Sequence, residues 1–179
     1  MAQVATPFQA LLDLNDRYRA AAAGLPEQEA FVETWTGIAY RLAGCALVTP
    51  MNQVSEILTP PPFTRLPGVK SWVLGVANVR GRLVPLIDLC DYLGIESAAT
   101  RQNRRVLMVE MNDLLFGLRV DQVIGMQHFN VDNQQELTVD LPPEFDAYTE
   151  GAYQWNKEIW NLFSMEKLVN QPNFLHVAA

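Results

Sequence analysis

Three times along this chain a β-rich apolar run meets two turn-forming residues and is followed by a second run of similar length. Residues 36–42 and Cys45–Pro50 are divided by Ala43-Gly44, Val73–Val79 and Arg82–Asp88 by Arg80-Gly81, and Arg105–Met111 and Leu114–Val120 by Asn112-Asp113. Gly, Asn and Asp tolerate the positive φ that two-residue hairpin turns demand. The spacing therefore predicts tight hairpins, with Gly81 at positive φ in the second. Little helix fits between them, which points to a mainly β barrel or sandwich and away from alternating βαβ units.

The remaining segments are short. Thr6-Pro7-Phe8-Gln9 supplies a cap, a proline at the first helical position and a glutamine three residues after the cap, and Phe8, Leu11, Leu12, Tyr18 and Ala22 continue at helical spacing. Gly24 and Pro26 end that helix, and one more short helix fits residues 26–33. Residues 1–33 thus read as a helical extension on a main body of residues 34–179. Within the body, Pro60, Pro61 and Pro62 interrupt regular structure. Asp88 is placed to cap a single turn over Leu89–Leu93 before Gly94, and Ser164 to cap a closing helix over Met165–Val169. Thr149–Trp155 and Glu158–Phe163 read as a last strand pair, and residues 130–148 as a long, loosely structured connection.

Charge and cysteine usage narrow the function classes. A formal charge of −7 repels polyanions at long range, so nucleic acid and anionic membranes are poor partners. Arg101, Arg104 and Arg105 form a small basic cluster, read as a solvated loop ahead of a strand. Cys45 and Cys90 stand far apart in no metal-type spacing, as expected of buried free thiols in a reducing cytoplasm. The first residues lack a basic region followed by an apolar run, and no apolar stretch approaches the length of a membrane span. A cytoplasmic, soluble protein is expected.

No catalytic set is legible. The two histidines, His128 and His176, are too few for a three-histidine metal centre. The glycines of Gly75-Val-Ala-Asn-Val-Arg-Gly81 are one residue too far apart for a phosphate loop, and Arg82-Leu83 stands where Lys-Ser/Thr is required. Neither a nucleophile elbow nor H-E-x-x-H occurs. An enzyme with an unrecognised site would need a polar pocket with perturbed titratable groups, and the residue inventory disfavours it. No cofactor is expected. Attention falls instead on the turn at Arg80-Gly81, where a lone arginine caps two apolar strands. Pro85 lacks a ladder donor and suits an edge strand, a strand end or a bulge, so the hairpin is expected to be accessible to a partner.

These residues resemble a known family. Gly75-Val76-x-Asn78-Val79-Arg80-Gly81 followed by Val84-Pro85-x-Ile87-Asp88-Leu89 is similar to the signature of the CheW-like domain. Upstream, Val54-Ser55-Glu56-Ile57 and Leu66-Pro67 look like its preceding segments. Downstream, Arg105–Met111 and the Phe116-Gly117-Leu118-x-Val120-Asp121 stretch look like its paired strands. The resemblance covers residues 35–168. It implies two intertwined five-stranded SH3-like β-barrels with a few short helices. It also implies a non-catalytic adaptor in chemotaxis signal transduction that docks the regulatory domain of a CheA-type histidine kinase and the cytoplasmic tip of a methyl-accepting receptor. The receptor- and kinase-binding residues it implies are Val54, Glu56, Ile57, Asn78, Arg80, Gly81 and Pro85. The extension and the phrases GVANVRGRL and GMQHF look closer to members that control type IV pili and twitching motility; a flagellar or other chemosensory array is the alternative. A fused receiver domain would need an α/β region for which no length remains.

Overall fold

The structure is a computed structural model and describes residues 7–21, 33–97, 99–111, 113–135 and 141–178. It divides into one unit over Met1–Val32 and another over Glu33–Ala179. In the first, α1 (Pro7–Ala21) exposes Phe8, Leu11, Leu12, Leu14 and Tyr18. The cap at Thr6, the stop at Gly24 and Pro26, and the short helix expected over 26–33 lie, but for Glu33, outside the described residues.

The second unit is built from hairpins. β1 (Thr34–Leu42) pairs with β2 (Cys45–Pro50), β5 (Val73–Val79) with β6 (Arg82–Asp88), β7 (Arg105–Met111) with β8 (Leu114–Val120), and β11 (Thr149–Trp155) with β12 (Glu158–Phe163). The turns carry the anticipated geometry, with positive φ at Ala43 and Gly44, at Arg80 and Gly81, and at Asp113. The last hairpin turns on Asn156 and Lys157, both at positive φ without a glycine.

Both sheets follow one plan: two hairpins joined by a parallel seam between their second strands. β2 lies parallel to β12, and β6 parallel to β8. The sheet made from the two chain ends runs β10-β11-β12-β2-β1-β9, where β9 is Gln122–Asn130 and β10 is Gln134–Gln135. The sheet made from the middle of the chain runs β3-β7-β8-β6-β5-β4, where β3 is Glu56–Leu58 and β4 is Phe63–Thr64. Each therefore has five principal strands and one two-residue strand, β10 or β4. The chain leaves the first sheet, builds the second whole, and returns to the first.

Packing explains why the strands are apolar without a clean alternation. The central core draws Ile38, Tyr40 and Leu42 from β1 and Leu107 and Val109 from β7. The opposite faces of those strands feed smaller cores belonging to each sheet, Ala39 with Val48, Phe129 and Trp160, and Val106 and Met108 with Val84 and Leu86. A strand buried on both faces reads as a continuous apolar run. The short helices close the central core. α2 (Leu89–Leu93) starts at Asp88, whose carboxylate accepts from Cys90 N, and ends at Gly94 with φ 73°. α3 (Met165–Val169) starts at Ser164, whose hydroxyl accepts from Lys167 N. A further helix, α4 (Pro172–Leu175), buries Phe174 against Trp72 and Phe116.

Three expectations need correction. Residues 130–148 are more ordered than a loose connection: β9 runs to Asn130, a 3-10 turn covers Val131–Asn133, β10 follows, and a second 3-10 turn at Pro143–Phe145 seats Phe145 fully in the central core. Residues 136–140 lie outside the description. Pro85 is not on an edge strand, since β6 lies between β8 and β5. Its missing N–H is tolerated because the ladder to β8 begins only at Leu86. Of the two free thiols, Cys90 is buried but Cys45 only partly so; burial pushes the Cys90 thiol up to about 12.

Candidate functional site

The turn singled out in the sequence is held by its own side chains. The pairing of Val79 with Arg82 leaves Arg80-Gly81 as a two-residue loop. Both residues are left-handed, at φ 51° and 83°, the combination whose twist matches flanking strands. Arg80 therefore shares the special geometry with Gly81, and its side chain is launched from a conformation that few non-glycine residues adopt. Asn78 Oδ1 accepts from Gly81 N at 2.8 Å, which pins the loop. Gly81→Val should cost about 1–2 kcal/mol, because a β-branched residue is strained at this φ although no atom lies within 4 Å of the added carbon. Thermal melts check this, and an unchanged midpoint would show that the loop relaxes freely.

Arg80 meets a carboxylate. Its Nη2 donates to Glu56 Oε1 at 2.5 Å, with the arginine side chain 77% exposed and the glutamate 27%. Glu56 stands on β3, three strand intervals from β6 in sheet order. In a flat sheet that separation would be about 14 Å, beyond an arginine's reach, so the sheet curls to bring β3 under the hairpin tip. A second pair crosses the same opening, Arg82 Nη2 to Glu110 Oε1 at 3.1 Å. The opening is a cavity of about 190 Å³ whose walls include Glu56, Arg80, Arg82, Met108 and Glu110. Exposed ion pairs contribute little stability, about 0–1 kcal/mol. Their effect is to orient charge at an accessible rim.

The tip projects because its neighbours stop short. β4 pairs with β5 only at Val76 and Ala77, and β8 reaches β6 only from Leu86 onward. On the outer face Asn78 is paired with Leu83 and Val76 with Pro85, and Leu83 is 76% exposed. The hairpin tip thus exposes an apolar side chain on its outer face and carries oriented arginines on the other, the mixed composition of a docking surface.

The residues singled out in the sequence divide by position. Glu56, Asn78, Arg80 and Gly81 converge at the tip. Ile57, on β3, and Pro85, on β6, are solvent-exposed. Val54 follows the 3-10 turn Met51–Gln53 and packs, half-buried, against the central core. Arg82, Leu83 and Glu110 complete the tip without having been identified from sequence. Alternation alone places Arg82 and Leu83 on opposite faces, but no local signal pairs Arg82 with Glu110.

The CheW-like domain family matches residues 36–173. Protein PilI of Pseudomonas aeruginosa is 47% identical over 178 residues, covering 99% of each chain. Chemotaxis protein CheW of Helicobacter pylori is 33% identical over 164 residues, covering 90% of this chain and 96% of its own. The crystal structure of scaffolding protein TtCheW from Thermoanaerobacter tengcongensis superposes with a TM-score of 0.66 at 20% identity, over 74% of this chain and 90% of that one; it shares the fold. With nearly the whole two-sheet body matched, and PilI similar from end to end, this chain belongs to the CheW-like family.

Proposed function

We propose that this chain, a CheW-like scaffold of chemosensory signalling, couples the cytoplasmic tip of a methyl-accepting receptor to the regulatory domain of a CheA-type histidine kinase, without catalysis of its own. The observation that carries the reading is the β5–β6 tip, a locked turn that presents Arg80 over Glu56 and exposes Leu83 on the other face of the hairpin. Preorganised arginines are enriched at interface hot spots, and the same hairpin adds an exposed apolar side chain. The pilus system is favoured over a flagellar array because the end-to-end identity to PilI, 47%, exceeds that to the Helicobacter CheW, 33%. In this reading the protein is cytoplasmic and reaches the membrane through receptor arrays; no helix among the described residues is long and apolar enough to cross one.

The test is calorimetric titration of the full chain against a receptor-tip fragment and against the kinase regulatory domain. Arg80→Glu should weaken at least one of them by about thirty-fold, the equivalent of about 2 kcal/mol. The substitution exchanges one L-residue for another at the same left-handed φ and sets two carboxylates together, so thermal melts serve as the folding control. The paired exchange Arg80→Glu with Glu56→Arg restores the ion pair with reversed polarity. Recovered affinity would assign the pair to ordering the tip; unrecovered affinity would assign Arg80 to direct contact. Wild-type affinity for both partners in Arg80→Glu would remove the tip from the interface. The purified protein should also turn over no ATP, and turnover abolished by a point mutation in this chain would end the adaptor reading.

A further inference from the structure

A second concave site lies in the body and shares no lining residue with the hairpin tip. It is a cleft of about 870 Å³. Its walls take in the Pro60–Pro61–Pro62 segment, Phe63 and Leu66, and Arg65, Lys70, Arg101, Arg104 and Arg119 enter it from four separate stretches of chain. Thus five of the chain's 13 lysines and arginines gather here, in a protein whose formal charge is −7. Asp91 is the one carboxylate in the lining.

Among the described residues, three of these five charges make no ion pair. Arg119 is taken up by Asp88. Arg104 donates to Ser97 Oγ at 3.3 Å, that hydroxyl in turn donates to Asp121, and Arg104 Nε is buried with no acceptor among the described residues. Arg65, Lys70 and Arg101 make no ion pair with any described residue. Holding like charges together around a cleft costs electrostatic energy, and a bound anion relieves it. The arginines at 101 and 104, read from sequence as a solvated loop, belong to this cleft.

We propose that the cleft binds an acidic segment of a partner protein, an extended peptide whose carboxylates alternate with apolar side chains. Charge complementarity supplies the carboxylates' partners, since guanidinium forks match carboxylates in bidentate geometry. Phe63, Leu66 and the proline wall supply the apolar half. Guanidinium forks match phosphate equally, so the apolar wall is what favours a peptide over a small phosphate-bearing ligand. Phosphate cradles are built from convergent backbone N–H groups, and the proline wall has none to donate. A long polyanion is disfavoured by the chain's net charge of −7. The volume far exceeds that of a single small anion.

The experiment measures fluorescence anisotropy of a fluorescein-labelled peptide of alternating Glu and Leu titrated with the full chain, with a Gln-Leu peptide as control. Saturable binding of the Glu peptide and none of the Gln peptide is expected. The double variant Arg65→Glu, Arg101→Glu changes exposed side chains, and should weaken binding at least about tenfold with an unchanged melting midpoint. Arg82→Glu, at the hairpin tip, should leave binding as it was, which separates this site from the proposed receptor and kinase contacts. Absence of saturable binding, equal binding of the Gln peptide, or indifference to the double variant would each overturn the proposal. Displacement of the peptide by pyrophosphate or ATP at lower concentrations than by unlabelled peptide would also overturn it, and would assign the cleft to phosphorylated ligands.

Discussion

Replacing Gly75 by alanine should destabilise the protein by at least about 3 kcal/mol, among the largest effects expected of any single methyl group. Two causes act together. Gly75 has φ 143°, a region that L-residues rarely enter, and an added Cβ would lie 2.1 Å from Thr64 O and 2.7 Å from Thr64 C. Those are backbone atoms, so no side-chain rotation relieves the overlap. Relief requires β4 to leave β5, breaking the register of Phe63 with Ala77 and Thr64 with Val76. The register shift between Val73 and Gly75 marks the same crowding, because a bulge lets β5 bend around the incoming strand. Moving β4 would also move Phe63 and the proline wall, so Gly75→Ala should loosen the basic cleft as well. The check is urea unfolding, with a fall in melting midpoint on the order of 10 °C as its thermal counterpart. A loss within about 1 kcal/mol would mean that β4 is not pressed against β5.

Asp88→Ala should cost about 3–5 kcal/mol. The Asp88 side chain is only 8% exposed and has two obligations: it pairs with Arg119, itself 20% exposed, and it accepts from Cys90 N to start α2. Truncation removes a cap and leaves the arginine without its nearest carboxylate in a partly desolvated site. Burial already lowers the Arg119 pKa, against an opposing influence from Asp121, so that guanidinium can ill spare its partner. The double variant Asp88→Asn, Arg119→Met keeps a competent cap and removes both charges, and should recover most of the loss. Denaturant midpoints of the two variants against wild type measure this. A cost below about 1 kcal/mol for Asp88→Ala is the surface-pair value and would mean the pair is solvated.

The limits of sequence reading show at particular residues. Ala43-Gly44, Arg80-Gly81 and Asn112-Asp113 mark their hairpins because a two-residue turn depends on the φ tolerance of the residues in it. Asp88 and Ser164 announce their helices for the same local reason, a side-chain oxygen reaching an N–H two or three residues on. β9 was not legible as a nine-residue strand, since its exposed Met126 and buried Phe129 make sense only beside β1. Pro85 left an edge strand, a strand end or a bulge open, because whether a strand is central depends on which distant hairpin lies beside it. The Asn-x-Arg-Gly signature identified the tip, but the receiver of Arg80's charge, Glu56, lies 24 positions away and is reached only through the curl of the sheet.

The amino-acid sequence by itself determined the turns, the caps, the mainly β class and, through a dense signature, the family, because each of these rests on short-range φ preferences and nearest-neighbour hydrogen bonds. The tertiary structure alone decided the two parallel seams, the burial of both faces of β1 and β7, the Arg80–Glu56 pair and the gathering of Arg65, Lys70, Arg101, Arg104 and Arg119 around one cleft. These depend on contacts between segments far apart in the chain, where packing of two curled sheets sets which side chains meet and no local preference bears on the outcome.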